Sequence, residues 1–259
     1  MWMMTPIDLS YDTFGEGYPV ILIHGFPLNR SIWYPLLPYL EKDLMVILPD
    51  LRGHGKSNVV EGEYLMSELA QDILALMDKL HIEKAVIAGH SMGGYVALEV
   101  LHQQVDRVSG LGLIASHAEA DPKDRVSLRL RMADRLEREG IDFLAEDMAN
   151  RLTTHVQLVP KIKKIILQNS AYGAARVSRG MAKRSGFTML LPILNIPALV
   201  IGGESDSLNP LERVNKTAEA LKNSRLLIIP GGGHMPMMEA PELTAQALLE
   251  LCQRAKNNR

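Results

Sequence analysis

The chain has 259 residues, 47% of them hydrophobic and 22% charged, enough apolar material for one sizeable α/β domain with a substantial core. A net charge of −2 gives no electrostatic footprint for nucleic acid or an anionic membrane surface. A single cysteine, Cys252, excludes an internal disulfide framework. Cys252 falls on the apolar side of the last helical stretch with Leu248 and Leu251, which predicts a buried, inert thiol. Arg254, Lys256 and Arg259 beyond it read as a frayed, solvated tail. The opening Met1-Trp2-Met3-Met4-Thr5-Pro6 has neither the basic region nor the apolar core of a secretory signal. No apolar run reaches the roughly 20 residues that span a bilayer. A soluble, cytoplasmic protein with no membrane partner is expected.

In chain order, Ile7 to Thr13 alternates apolar and polar residues as a half-exposed strand does, and Gly15-Glu16-Gly17 turns the chain. Val20-Ile21-Leu22-Ile23 is the first buried strand, ending in His24-Gly25-Phe26-Pro27. A helix is expected from an N-cap at Ser31, carrying Trp33, Leu36, Leu37 and Leu40 inward with Pro35 in its first turn. Leu44 to Leu48 is a further strand, followed by the loop Asp50-Leu51-Arg52-Gly53-His54-Gly55-Lys56-Ser57, in which Asp50 and Arg52 read as braces. Met66 to Leu80 has the apolar spacing of an amphipathic helix.

Ala85-Val86-Ile87-Ala88 is short, apolar and partly β-branched, a buried parallel strand. It runs into Gly89-His90-Ser91-Met92-Gly93 and then an unbroken helical stretch, Tyr95 to Leu101. A serine between two glycines at a strand-to-helix turn is the nucleophile-elbow pattern, in which side chains beside the serine would collide. The helix behind Ser91 aims its free N–H groups and positive dipole end at the same point.

A strand over Val108 to Ile114 precedes a change of rhythm. Asp121-Pro122 reads as an N-cap followed by an N1 proline, Gly140 closes that helix, and three more helical stretches follow around 142–152, 158–169 and 172–183. Helices without intervening strands point to an inserted helical cap over 118–187, splitting a core domain made of 1–117 and 188–259. One cap helix carries an apolar face at Val126, Leu130, Ala133 and Leu136 beside arginine-rich polar faces. The alternation resumes with strands at 198–201 and 226–229 and helices at 210–221 and 241–255. Strands alternating with helices predict an α/β fold with a mostly parallel central sheet covered on both faces.

In such a sheet, function gathers at the carboxyl ends of the strands. Ser91 follows one strand, His24-Gly25 another, Gly202-Gly203-Glu204-Ser205-Asp206 the first after the insertion, and Gly231-Gly232-Gly233-His234 the last. Serine, acid, histidine is the chain order of one hydrolase architecture. A serine hydroxyl needs a base, assigned to His234, and the base needs an acceptor on its other nitrogen, assigned to Asp206. The oxyanion needs preorganised donors, expected from the backbone N–H of Phe26 and Met92; Pro27 has none to give. Glu204 is the rival acid, and the segment Ala115-Ser116-His117 with Glu119 and Asp121 is a weaker alternative place for it. His24 and His90 flank the site as loop supports, and His24, Gly25 and Met235 are the expected substrate contacts. Other methionines, such as Met132, Met148 and Met181, are expected in the core or lining an acyl pocket.

Gly55-Lys56-Ser57 is not a phosphate loop, because Asp50 stands where that motif needs glycine. No dinucleotide fingerprint follows a strand, and no histidine or cysteine cluster has metal-ligand spacing, so neither cofactor nor metal is expected.

Taken together, His24-Gly25-Phe26-Pro27, Asp50 to Ser57, the elbow with its extra Gly94, Gly203-x-x-Asp206 and Gly233-His234 resemble the alpha/beta-hydrolase superfamily over essentially the whole chain. The chain looks like its small capped carboxylesterases, 3-oxoadipate enol-lactonases and cofactor-free perhydrolases. That resemblance implies Ser91, Asp206 and His234 as a triad and Phe26 and Met92 as the oxyanion hole. The expected activity is hydrolysis of small carboxylic esters through an acyl-enzyme. The alternatives are opening of a lactone of the 3-oxoadipate enol-lactone type, and acyl transfer to peroxide or an alcohol. The expected partner is a small-molecule ester or lactone.

Overall fold

The structure is a computed structural model and describes residues 5–258. Met1–Met4, part of the segment behind the expected lack of a leader, and Arg259 of the expected tail lie outside the described residues.

The first half of the chain forms β1 (Tyr11–Phe14), β2 (Tyr18–Ile23), a 3-10 helix (Arg30–Leu36) running into α1 (Leu37–Leu40), β3 (Leu44–Pro49), α2 (Met66–Lys79), β4 (Ala85–His90), α3 (Met92–Gln103) and β5 (Val108–Ile114). Four helices follow without a strand: α4 (Lys123–Glu139), α5 (Asp142–Leu152), α6 (Val159–Leu167) and α7 (Ala171–Ala182). The chain closes with β6 (Ala198–Gly203), α8 (Leu211–Ala220), β7 (Ser224–Ile229), α9 (Pro236–Glu239) and α10 (Pro241–Asn257).

Among the described residues seven strands make one sheet in the order β1-β3-β2-β4-β5-β6-β7. Only β1 is antiparallel to its neighbour; the other five pairings are parallel. Because successive side chains point to opposite faces, each central strand feeds two cores. Ile21, Ile23, Ile47 and Ile87 pack under α2 and α3, while Val20, Leu22, Val46 and Val86 pack with Trp33, Leu36 and the α10 residues Leu248 and Leu251. Strands buried on both sides are mostly apolar, which is why β4 and β5 read as near-continuous runs broken only by the buried Ser109 and, at the strand end, His90. Cys252 is buried in the second of these layers, and burial alone pushes its thiol up to about 12.

Four local expectations change. The strand near the N-terminus is shorter, because only Tyr11–Phe14 pairs with β3, while the Ile7 N–H bonds the Asp72 carboxylate instead of a strand. The cap of the first helical turn is Asn29, not Ser31. The Asn29 Oδ1 accepts from both the Ser31 N–H at 3.1 Å and the Ser31 hydroxyl at 2.6 Å, a reach of two residues that suits asparagine. Asp121 does not cap α4, whose N-cap position is Pro122; its carboxylate is taken by Arg129 and Arg184, charged donors that outcompete a helix N–H. Arg254 is not frayed: it bonds the carbonyls of Ala198 and Asn223 and ties α10 to the sheet.

Asp50 and Arg52 do brace their loop. The Asp50 carboxylate accepts from the N–H of Arg30 and of Lys56, and the fully buried Arg52 makes two 2.6 Å bonds to Asp72. The helical insertion packs as two pairs, α4 on α7 and α5 on α6. Its base is closed by the Phe187 N–H donating to the Ala118 carbonyl at 2.7 Å. Along α7, Gly173 and Gly180 lie two turns apart on one face and meet the backbone at Gly53 and Tyr64, where a Cβ could not fit. No helix among the described residues is long and apolar enough to cross a membrane.

Candidate active site

The turn between β4 and α3 puts Ser91 at φ 49° and ψ −112°, a left-handed conformation rarely held by a side-chain-bearing residue. It is held there from both sides. The Ser91 N–H donates to the Ile114 carbonyl at 2.8 Å, and the Ser91 carbonyl accepts from the Ser116 hydroxyl at 2.7 Å. The glycines are steric necessities: a Cβ at Gly89 would overlap the Gly93 backbone, and one at Gly93 would overlap the Ile23 and His24 carbonyls. Met92 is the first residue of α3, so its N–H has no partner within the helix, and Met92 lines the same cavity as Ser91.

The other strand ends converge on this turn. His234 Nδ1 lies 2.7 Å from Asp206 Oδ2, both side chains being nearly fully buried. The second carboxylate oxygen of Asp206 accepts from the N–H groups of Leu208 and Asn209 at 2.8 and 3.0 Å, which fixes its orientation. With Nδ1 donating to the carboxylate, the Nε2 of a neutral His234 is left as an acceptor. Ser91, Met92, Phe26 and His234 all line one cavity of about 220 Å³ between the sheet ends and the insertion.

The loop bearing His234 is fastened to its surroundings. His90 Nε2 donates to the His234 carbonyl at 2.8 Å; burial, then the neighbouring His234, holds the His90 ring well below its ordinary pKa, so it acts as a neutral donor. The His234 N–H donates to the Leu152 carbonyl at 3.0 Å. Glu239 receives the Gly233 N–H on one oxygen and the Thr153 hydroxyl on the other, at 2.7 and 2.6 Å. The loop carrying Phe26 is fastened by Asn169, which donates to the Pro27 carbonyl at 2.9 Å and accepts from the Gly55 N–H at 2.7 Å.

Glu204 is brought near but not into the cavity; its carboxylate accepts from the Gly231 N–H at 2.8 Å and shapes the turn before His234. His24, Gly25 and Met235 do not line the cavity, contrary to expectation. Both nitrogens of the buried His24 are engaged, Nε2 accepting from the Leu51 N–H and Nδ1 donating to the Gly25 carbonyl. Burial lowers its pKa to about 4. Gly25 is a close approach, since a Cβ there would stand 2.5 Å from His90 Nδ1. Met235 is fully buried in the core.

Several cavity residues carry no sequence expectation of that role. Tyr95 sits one helical turn beyond Ser91, and its hydroxyl is 3.2 Å from His117 Nε2. Asn209 shows a fully buried Oδ1 with no partner among the described residues. From the insertion, Arg125 and Arg129 line the wall one turn apart; Met132, Met148 and Met181, expected in the core or along an acyl pocket, line it as well. Tyr95 is findable from its i+4 relation to the elbow serine; the arginines look like any solvated helix face. Among the described residues no group of histidine, cysteine and carboxylates is arranged to hold a metal ion.

The family model described as "alpha/beta hydrolase fold" matches residues 18–241. The chain is 33% identical over 91% of its length to the dihydrolipoyllysine-residue acetyltransferase component of an acetoin cleaving system from Pseudomonas putida, and the match spans 64% of that protein, less than two thirds of it. It is 27% identical to 3-oxoadipate enol-lactonase 2 of Acinetobacter baylyi, over 91% of this chain and 90% of that one. A solved structure of a thermophilic esterase from Thermogutta terrifontis, with malate bound, superposes with a TM-score of 0.92 at 38% identity, covering 95% of this chain and 93% of that one.

Proposed function

The chain belongs to the alpha/beta hydrolase fold family, and on that premise we propose that it hydrolyses small carboxylic esters with Ser91 as nucleophile, His234 as base and Asp206 as its orienter. The observation that carries the reading is the 2.7 Å His234–Asp206 pair opening onto the same cavity as the strained Ser91 turn.

In this mechanism Ser91 Oγ attacks the ester carbonyl as its proton passes to His234 Nε2. The charge gathering on the carbonyl oxygen is met by the N–H groups of Phe26 and Met92, which need no rearrangement. The alcohol leaves with the proton from His234, and water, activated by the same nitrogen, releases the acid and restores Ser91. Asp206 keeps the proton of neutral His234 on Nδ1 and stabilises the imidazolium. The helical insertion acts as a cap that encloses the acyl group. Opening of a lactone uses the same steps with the leaving alcohol tethered; the resemblance to an enol-lactonase favours that second reading.

The test is turnover of short 4-nitrophenyl esters by the native chain and by Ser91→Ala, with a phosphonate label mapped by mass spectrometry. Expected are a loss of roughly 10⁴–10⁶ in kcat and labelling at Ser91 alone. Full activity in Ser91→Ala rejects the proposal.

A further inference from the structure

The substrate cavity is positively charged and holds no counter-charge of its own. Arg125 and Arg129 line it one turn apart on α4, and no aspartate or glutamate is among the lining residues. Arg129 shares the single carboxylate of Asp121 with Arg184, and the Arg184 and Asp121 side chains are only 2% and 3% exposed. Two guanidiniums on one carboxylate leave a net positive charge at the wall, only partly met by the Tyr95 ring, over which Arg184 stands at 4.0 Å. Such a charge is costly unless an anion approaches it. Arg125 has no carboxylate partner among the described residues, where it makes a long 3.4 Å hydrogen bond to the Leu208 carbonyl. Arg151, more exposed and paired with Asp147, adds little.

Beside these arginines stands an oriented hydroxyl. The Glu119 N–H donates to His117 Nδ1 at 3.2 Å, so the neutral ring carries its proton on Nε2 and gives it to the Tyr95 oxygen at 3.2 Å. The Tyr95 proton is then free to be donated into the cavity, which Tyr95 lines. A planar guanidinium and a phenol proton, in a cavity whose lining includes Phe26, Met132 and Met148, fit a carboxylate at the end of a short apolar chain.

We propose that the preferred substrate is an ester or lactone that carries a second, free carboxylate, bound by Arg125 and Arg129 with Tyr95 donating beside them. This rests on the hydrolase reading above. It adds selection by charge at a place separate from the reacting carbonyl.

The experiment compares monomethyl glutarate with methyl glutaramate, in which a neutral amide replaces the free carboxylate. Native kcat/KM is expected to favour the acid by about tenfold to a hundredfold, the worth of one or two charged hydrogen bonds. Arg125→Gln should lower kcat/KM for the acid at least tenfold more than for the amide, and Arg125→Lys should retain most of the preference. Equal kcat/KM for the two esters in the native enzyme, or a preference untouched in Arg125→Gln, overturns the proposal. Glutarate binding to Ser91→Ala by calorimetry separates the two readings. If neither ester turns over yet glutarate binds and Arg125→Gln abolishes that binding, the anion site stands and the hydrolase reading falls. Without turnover and without glutarate binding, both fall.

Discussion

Substituting Gly180 by alanine sets two physical effects of opposite sign against each other. In the last turn of α7, alanine is favoured over glycine by at most about 1 kcal/mol through the entropy of the unfolded chain. The seam with the core opposes it. A Cβ on Gly180 would stand 2.5 Å from the carbonyl carbon of Tyr64, with the carbonyl oxygen closer still. The carbon alone is about 1 Å short of the 3.5 Å optimum for two carbons and the oxygen falls shorter still, so α7 has to move outward by at least that amount. Tyr64 cannot yield in its place: its side chain is fully buried and its hydroxyl bonds both the N–H and the carbonyl of Val60. Overpacking of this kind costs about 1–3 kcal/mol. Set against the propensity gain, this leaves a net loss of up to about 2 kcal/mol, so we expect Gly180→Ala to lower the Tm by up to roughly 8 °C, read by far-UV circular dichroism, with the denaturant slope unchanged. α7 also carries Ser178 and Met181 into the cavity and packs against α4 with its arginines. KM should consequently rise several-fold while kcat changes less. A higher Tm with unchanged KM would mean that propensity governs this helix and that the insertion is not seated on its glycines.

The acid and the pH response supply two further expectations. Asp206→Asn removes the acceptor that fixes the His234 tautomer and should cost about 10²–10⁴ in kcat, whereas Glu204→Gln, which keeps an oxygen for the Gly231 N–H, should cost little; reversed sensitivities in steady-state kinetics move the role to Glu204. His24, His54 and His117 are held by burial at about 4, 3 and 3, so between pH 6.5 and 4 the unfolded chain binds their protons and the folded one does not. Stability should thus fall on acidification below pH 6.5, by up to about 1.4 kcal/mol per pH unit for each histidine, and a urea midpoint constant from pH 6.5 to 5 contradicts their burial as neutral rings.

The convergence of Ser91 and His234 on one cavity, the proposed catalytic side, is the part most legible in the sequence. Glycines beside Ser91 and Gly233 before His234 mark places where backbone must turn sharply at the end of an apolar run, and both signals are local. The recognition side is legible only in three dimensions. Leu130, assigned to the inward face of its helix, is 38% exposed, while Arg125 and Arg129 of the polar face line the cavity. Periodicity divides a helix into two faces but does not say that the polar one is turned toward an enclosed space and not toward bulk water. A similar blindness affects His24 and Met235: adjacency in sequence to a catalytic strand end does not tell whether a side chain points into the cavity or back into the core.

Glu239, with Thr153 on one oxygen and the Gly233 N–H on the other, makes residues 152–154 part of two units at once. By covalent connection they belong to the helical insertion; by hydrogen bonding they are the outer wall of the loop that holds His234. The insertion is therefore not an exchangeable cassette. A chimera that imports all four helices from a relative severs the Leu152–His234 and Thr153–Glu239 links unless the donor matches them, and loses rate before it gains any new specificity. Substitutions on α4 and α7 touch the cavity without touching that junction. On the proposed function, new substrate ranges in this scaffold should accordingly be sought by point changes along those two helices, with the segment through Thr154 left in its native form.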